Sequence, residues 1–196
     1  MGNKRSGQVK TTASSGSNKT YIIVGAIIVA FVAGFIALVV IDSRQQAGSA
    51  PPGDVQTYDV GPAGQHTPDD VDYAQTPPAG GEHNDVWQNE GFYDAPVRDE
   101  NAVHTMEHGA VWITYSPDLP QDQKDQIQEL VEGQTCMLAS PHPDLPTPVV
   151  ASAWGKQLTL ESADDPELEQ FVRAYRLGPQ TPEVGASCTG GTADTV

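Results

Sequence analysis

The sequence predicts an α+β fold, in which one N-terminal transmembrane helix is followed by a small single domain with a short antiparallel sheet covered by two helices. Three observations support this prediction. Residues 21–41 are apolar throughout and carry no charge. After residue 109, the segments follow the order strand, helix, strand, strand, helix, which is typical of an α+β domain. The remaining length of about 130 residues suffices for one hydrophobic core and not for two.

The apolar run predicts a membrane span, because about 20 apolar residues, each rising roughly 1.5 Å, cross the hydrocarbon layer of a bilayer. Four bases and no acid precede the run: Lys4, Arg5, Lys10 and Lys19. The positive-inside rule then places the N-terminus in the cytoplasm and the domain outside it, which predicts a single-pass protein of the cell membrane. The alternative is a signal peptide cleaved among small residues such as Ala47 and Ala50, which would export the domain without an anchor.

Composition supplies the other boundaries. Residues 1–20 are rich in Ser, Thr, Gly and Lys, and predict a disordered cytosolic tail. A linker is predicted over residues 42–54, and the extracytoplasmic α+β domain over residues 55–190. Residues 191–196 predict a flexible C-terminus.

The first strand and helix of the domain have clear local signals. Residues 110–115 (AVWITY) are mostly β-branched or aromatic and stop at Ser116-Pro117, which predicts a strand. Pro120 then begins a helix that ends at Gly133. Its apolar face consists of Ile127, Leu130 and Val131.

The later elements complete the predicted sheet. Residues 136–139 and 149–160 predict further strands, the second one broken or bulged at Gly155. Asp165-Pro166 begins a last helix, which Gly178-Pro179 closes. The apolar residues of that helix are Leu168, Phe171, Val172 and Tyr175.

Charge excludes one class of partner. Residues 45–196 carry five bases against 25 acids. Nucleic acid is therefore not expected as a partner, because a phosphate backbone is bound by clustered Lys and Arg side chains. Solubility or adaptation to salt explains the acidity as well as attraction of cations does, so the charge alone identifies no ligand.

The two cysteines, Cys136 and Cys188, predict a disulfide, because both follow the apolar run and would lie in an oxidising compartment. Closing a loop of this size would restrain the unfolded chain by about 4 kcal/mol. In the alternative, Cys136 and Met137 are soft ligands of copper.

The residues best suited to chemistry are the histidines, which all follow the apolar run: His66, His83, His104, His108 and His142. The tightest cluster is HTMEHG, residues 104–109. On a helix, His104 and His108 would share a face and Met106 would point elsewhere, whereas on a strand all three would lie on one side. The AVWITY segment that follows favours a strand or an extended lead-in. A His, Met, His set suits copper, and paired imidazoles with a carboxylate suit zinc.

Other interpretations of the histidines, and of the aromatic residues, remain open. HTMEH fits the H-x-x-E-H pattern of zinc peptidases, in which Glu107 would activate water. The histidines could instead hydrogen-bond to loop backbone without a metal, and His142, in SPHPDLPTP, is better suited to a turn than to a ligand role. The aromatic residues form either a core or a surface for a protein partner: Trp87, Phe92, Tyr93, Trp112 and Trp154.

Several longer motifs carry a family resemblance: GQH, VDYAQTPPAGGEH, VWQNEGFYD, NAVHTMEHGAVWITYSPDLP, SPHPDLPTPVVASAWGKQLTL and GPQTPE with Cys188. Through them the chain resembles domain of unknown function 3105, a family of bacterial membrane-anchored exported proteins. The resemblance covers nearly all of residues 64–190 and implies a shared site at its matching histidines: His66, His83, His104 and His108. In the family pattern, position 90 is often Cys and position 106 is more usually Leu, where this chain has Glu90 and Met106.

These observations predict a membrane-tethered extracytoplasmic protein that binds a copper or zinc ion through a histidine cluster. The predicted ligands are His104 and His108 with His83 and His66, and acidic residues nearby would orient the rings: Glu82, Asp85 and Glu107. Metal handling is favoured over catalysis, with an envelope protein as a partner that the sequence does not identify. The alternatives are a metal-free protein-interaction module of the cell envelope and, less favoured, a zinc-dependent hydrolase.

Overall fold

The computed structural model describes residues 21–25, 27–34 and 51–196. The chain divides into one unit of residues 1–48 and a second unit of residues 49–196. In the first unit, residues 21–25 and 27–34 are helical. The predicted tail, residues 1–20, and most of the predicted linker, residues 42–50, lie outside the described residues.

The predicted membrane association is corrected by the structure. Within the described ranges, no helix has both the length and the apolar character that crossing a bilayer requires. A span needs about 20 consecutive helical residues, and apolar composition alone, on which the prediction rested, does not establish such a helix. The span over residues 21–41 is thus unconfirmed, its residues 26 and 35–41 lying outside the description. Integral membrane association and a single-pass location are not supported.

The second unit has the predicted mixed α+β class, with six strands and three helices in the part of the chain that is described. The strands are β1 (Gln56–Thr57), β2 (Gly91–Phe92), β3 (Val111–Tyr115), β4 (Met137–Pro141), β5 (Val149–Ala153) and β6 (Lys156–Leu160). The helices are α1 (Asp99–Glu107), α2 (Gln121–Val131) and α3 (Pro166–Tyr175). The predicted order of strand, helix, strand, strand, helix corresponds to β3, α2, β4, the β5 and β6 pair, and α3.

The six strands form one mixed sheet in the order β1-β6-β5-β3-β4-β2. β3 pairs with β4 in parallel, with Ile113 opposite Ala139, while β5 pairs antiparallel with both β3 and β6. The predicted antiparallel sheet is therefore found in the pairs β1-β6, β6-β5 and β5-β3, whereas β3-β4 and β4-β2 are parallel, contrary to the prediction. The reason is that α2 carries the chain back to the end of the sheet where β3 began, so that β4 runs in the same direction as β3.

The interruption expected at Gly155 is a hairpin turn between β5 and β6. Ala153 pairs with Lys156, and only Trp154 and Gly155 lie between them. Gly155 has φ +68°, a left-handed conformation that favours glycine. A Cβ atom there would also lie 3.2 Å from the carbonyl oxygen of Tyr58. Glycine at this position therefore lets the chain after β1 cross closely over the turn.

The two faces of the sheet bury different partners, because successive side chains of β3 point to opposite faces. Val111 and Ile113 pack with the apolar residues of α2 and α3, which include Ile127 and Phe171. Trp112 points to the other face and packs with the apolar residues of α1: Ala102, Val103 and Met106. The two predicted helices thus cover one face, and α1 lies on the opposite face.

Helix α1 contains most of the HTMEHG segment, for which a strand or an extended lead-in was predicted. Asp99 and Glu100 occupy its first turn, where carboxylates interact favourably with the helix dipole. Gly109, with φ +106°, follows its end and reverses the chain into β3. The strand-forming residues therefore begin only after this glycine. Their preference does not extend back to the histidines.

The predicted disulfide between Cys136 and Cys188 is present and joins residues 52 positions apart. It engages the sulfur of Cys136, and Met137 is fully buried in the core, so the alternative copper pair does not form. Glu90, at the position where the family resemblance suggested Cys, lies beside the bridge. Its carboxylate accepts a hydrogen bond from the backbone N–H of Cys136 at 2.6 Å.

Candidate metal centre

Three imidazole rings meet beside the last turn of α1. The ring centroids of His66 and His104 lie 4.9 Å apart, those of His66 and His83 4.9 Å, and those of His83 and His104 4.8 Å. Glu107 joins them, and one potential ligand atom from each of the four residues lies within 4.8 Å of the others. His66 is exposed and the other three side chains are buried. The group thus forms a buried cluster with one member at the surface.

The loops that carry His66 and His83 are held side by side by backbone hydrogen bonds. The two residues form a parallel β-bridge. The N–H of Thr67 donates to the carbonyl of His83 at 2.7 Å, and the N–H of His83 donates to the carbonyl of Gln65 at 2.9 Å. This pairing brings two histidines 17 positions apart in the sequence onto one side of α1. His104 reaches the same place from the helix.

Backbone carbonyls fix the orientation of three rings. The Nδ1 atom of His83 lies 2.8 Å from the carbonyl oxygen of Gly81, and that of His104 lies 2.7 Å from the carbonyl oxygen of Asn84. The Nδ1 atom of His108 lies 2.7 Å from a third carbonyl, that of Ser187. A carbonyl can only accept, so Nδ1 is the protonated nitrogen in each ring. In the neutral rings, Nε2 therefore carries a lone pair that can bind a metal.

Glu107 is the least expected member of the cluster, because its carboxylate is fully buried and, among the described residues, forms no ion pair with a Lys or Arg side chain. Its Oε1 atom accepts a hydrogen bond from the backbone N–H of Gly64 at 2.6 Å. Its Oε2 atom lies 3.0 Å from Nε2 of His83. Neither of these two atoms has a hydrogen-bond partner among the described residues, despite their proximity. Two buried acceptors repel each other unless a proton or a cation lies with them.

The protonation state of His104 favours binding through a lone pair. The pKa of His104 is lowered from 6.5 to about 4, mainly by burial and to a lesser extent by its neighbours His108, His83 and His66. The hydrogen bond to the carbonyl of Asn84 acts in the opposite sense and is outweighed. The ring is therefore neutral at pH 7, and its Nε2 atom is free of a proton.

His108 lies next to this cluster and belongs to a second group. Its ring centroid is 4.6 Å from that of His104, and its Nε2 atom lies 3.5 Å from Oε2 of Glu183. His104, His108 and Glu183 each offer a ligand atom within 4.8 Å of the others. The half-buried ring of Trp87 packs against both histidines, at 5.7 Å from His104 and 5.1 Å from His108.

The structure thus brings His66, His83 and His104 together, and places His108 beside His104 with a different carboxylate. Glu183 was not predicted as a ligand, although it is the last residue of the GPQTPE motif that contributes to the family resemblance. Glu107 was predicted only as an orienting acid or a base. Glu82 and Asp85, predicted to orient the rings, are both exposed, and the described residues show no hydrogen bond between either side chain and an imidazole.

Two other candidate ligands, His142 and Met106, lie away from the cluster. His142 directly follows β4, belongs to neither group of potential ligands and is 3.3 Å from the Asp99 carboxylate at the start of α1. Met106 is fully buried and packs in the core beside Trp112. The helical conformation of HTMEHG explains this, because Met106 points away from the face that His104 and His108 share.

Comparison with known proteins adds a family match. The family model described as "Protein of unknown function (DUF3105)" matches residues 65–190. Neither a curated protein nor a solved structure matches the chain. The matched range contains both groups of potential ligands described above.

Proposed function

We propose that this chain, which belongs to the DUF3105 family of proteins of unknown function, binds one transition-metal ion, copper or zinc. The proposed ligands are His66, His83, His104 and Glu107. We call the site that these four residues form the inner position. The observation that carries the proposal is the contact between Nε2 of His83 and Oε2 of Glu107. A cation between or beside these two buried acceptors would remove their repulsion and supply the partner that both atoms lack.

The donor set supports these metals. Imidazole nitrogen binds zinc and copper well, and a single carboxylate oxygen commonly completes a tetrahedral zinc site. The Nδ1 atoms of His83 and His104 donate to backbone carbonyls, an arrangement typical of metal-binding histidines because it fixes the ring and its tautomer. An O-only ion such as Mg²⁺ or Ca²⁺ is disfavoured, because three of the four donors are nitrogens.

Metal handling is favoured over hydrolysis. Catalytic zinc sites usually keep one coordination position open for water, whereas four protein ligands occupy all four positions around a tetrahedrally coordinated ion. Glu107, the base that the H-x-x-E-H pattern would require, is fully buried and belongs to the donor set itself. A reversible carrier of the ion fits this arrangement better than a peptidase does. The alternative of an aromatic interaction surface has less support, because Trp112 and Trp154 are buried.

Titration of the purified full-length chain with Zn(II) and Cu(II), after removal of bound metal, tests the proposal. We expect one ion per chain, and a loss of affinity of more than about 100-fold in His83→Ala. His142→Ala is the matched control, because it also removes a buried histidine but one that lies beside Asp99. Equal affinities in the wild-type chain and His83→Ala would reject the inner position, as would a wild-type chain that binds no ion.

A further inference from the structure

His104 is shared by two groups of potential ligands. It lies with His66, His83 and Glu107 in the inner position, and with His108 and Glu183 in the second group. Its Nδ1 atom is already engaged by the carbonyl oxygen of Asn84 at 2.7 Å, which leaves Nε2 as its one nitrogen for a metal. One lone pair binds one ion. The two groups therefore cannot both use His104 at the same time.

We propose, on the basis of the function proposed above, that His104, His108 and Glu183 form an outer position, and that the inner and outer positions alternately hold a single divalent ion. The ion passes between them while it stays bound to His104. The chain therefore binds one equivalent of metal through two ligand sets. It does not form a centre with two metals.

The outer position has a defined geometry of its own. His104 and His108 stand at i and i+4 across the last turn of α1, and the N–H of His108 donates to the carbonyl of His104 at 3.2 Å. The hydrogen bond from Nδ1 of His108 to the Ser187 carbonyl turns its Nε2 atom towards Glu183, 3.5 Å away. Paired histidines on one helix face with a carboxylate from elsewhere are a common zinc-binding arrangement.

Glu183 is held in place by the same helix that carries the histidines. Its backbone N–H donates to the carbonyl of Glu107 at 3.1 Å. Further along the chain, the disulfide at Cys188 ties the segment to Cys136. The second carboxylate is thus positioned by two constraints that do not depend on its own side chain.

The two positions differ in a way that gives them different roles. The inner set offers four ligands, and its carboxylate is fully buried. The outer set offers three ligands, and the side chain of Glu183 is 45% exposed. Three ligands leave a coordination position open to water or to a donor atom from a partner. The inner position therefore retains the ion, and the outer position exchanges it with the surroundings.

Metal titration of selective variants of the full-length chain tests this inference. His83→Ala and His66→Ala remove inner ligands only, Glu183→Ala removes an outer ligand only, and His104→Ala removes a ligand of both positions. We expect the wild-type chain to bind one Zn(II), and His83→Ala still to bind one Zn(II), but more than about 100-fold more weakly. Addition of Glu183→Ala to His83→Ala should weaken binding by at least a further tenfold or so. Cu(II) bound to His83→Ala should show two coupled nitrogens by electron paramagnetic resonance.

Exchange kinetics give a second readout. In Glu183→Ala alone, the equilibrium affinity for Zn(II) should stay within about twofold of the wild-type value, while transfer of the ion to a chelator should slow by about tenfold or more. Because Trp87 contacts the rings of His104 and His108, quenching of its fluorescence by Cu(II) can follow the exchange. Unchanged transfer rates in Glu183→Ala would overturn the exchange role of the outer position.

The outcomes separate this inference from the function on which it rests. Suppose that the wild-type chain binds one Zn(II) and that adding Glu183→Ala to His83→Ala does not lower the zinc affinity further. This result would overturn the outer position and leave the inner position in place. Two Zn(II) per wild-type chain would overturn alternation. No binding by the wild-type chain would end both proposals. Should His83→Ala fail to fold, as judged by circular dichroism, His66→Ala provides the same test, because His66 is exposed.

Discussion

The Nε2 atom of His83 lies 3.0 Å from the Oε2 atom of Glu107, and neither side chain has any exposed surface. Because Nδ1 of His83 faces a carbonyl, the neutral ring presents a lone pair on its Nε2 side. With the ring neutral and the carboxylate charged, this buried pair of acceptors is unfavourable by itself and becomes favourable when a cation is added. Stability and metal affinity should therefore respond in opposite directions to changes at Glu107.

The substitution Glu107→Gln tests that relationship. Its amide NH₂ can donate to Nε2 of His83, while its oxygen still accepts from Gly64, so we expect the metal-free chain to gain about 1 kcal/mol of unfolding free energy. The affinity for Zn(II) should fall by more than about tenfold. Urea unfolding in the presence of chelator, together with zinc titration, measures both quantities.

Glu100→Gln is the matched control for that substitution. Glu100 is also a buried glutamate of α1, but its carboxylate accepts from the N–H of Val71 and from Arg98. Loss of its charge should destabilise the chain and leave zinc affinity unchanged. A Glu107→Gln chain that is destabilised like this control, with wild-type zinc affinity, would contradict the interpretation of the buried pair.

The ion pair of His142 and Asp99 predicts a dependence of stability on pH. Burial of the imidazole acts to lower the pKa of His142, but the hydrogen bond to Asp99 and the charge of Asp99 act more strongly in the opposite direction. The Pro143 carbonyl and the charge of Asp144 add to this effect. The pKa of His142 is therefore raised above 6.5. Below pH 6.5 the ring is charged in both the folded and unfolded states, and the pair contributes its full stabilisation. As pH rises through the folded-state pKa, the contribution is lost.

Unfolding free energies measured between pH 5 and 9, in the presence of chelator, would show this loss. In Asp99→Asn, the decline should be shallower than in the wild-type chain. The effect of Asp99 on the helix dipole does not titrate in this range, so it shifts the whole curve and leaves its slope unchanged. Identical slopes in the two chains would show that this pair does not cause the pH dependence.

Loss of the disulfide should affect zinc exchange, which depends on the outer position, more than zinc affinity, which depends on the inner position. In the double variant Cys136→Ser, Cys188→Ser we expect a loss of about 2 to 4 kcal/mol of unfolding free energy. The variant should also exchange zinc with a chelator more slowly, because the segment that carries Glu183 and Ser187 loses its tie to Cys136. Its equilibrium affinity for zinc should stay close to the wild-type value at a temperature where the variant is folded.

Met106→Leu separates a core role from a ligand role. Met106 is fully buried beside Trp112, and Leu has a similar volume, so the cost should be below about 1.5 kcal/mol. Copper and zinc affinities should not change, because the side chain points into the core. A loss of Cu(I) affinity in this variant would mean instead that the thioether takes part in binding.

The sequence predicted β3, α2 and α3 well because each has its own start and stop signals and its own apolar pattern. It failed at α1 for a physical reason. Every residue from Glu100 to Glu107 is buried, including the polar ones, so the helix lacks the contrast between an apolar and a polar face on which such predictions depend. Strand patterns alone do not give strand direction; the parallel pairing of β3 with β4 follows instead from the predicted helix between them, which returns the chain to the starting end of the sheet.

The candidate site could be predicted only as a set of histidines. Imidazoles are rare and chemically distinctive, which is why His66, His83, His104 and His108 could be selected from the sequence. Their division into two groups depends on the bridge between the His66 and His83 loops and on which carbonyl each ring faces. Glu183 lies in the GPQTPE motif, but it meets His108 only in the folded chain, so the sequence did not show that it belongs with the histidines.

The ligands of the two positions extend along the second unit from His66 to Glu183. During synthesis, the first imidazole leaves the ribosome more than 100 positions before the last carboxylate does. A nascent or truncated chain consequently cannot assemble both ligand sets. Transfer of an ion from one position to the other would therefore distinguish finished molecules from incomplete ones.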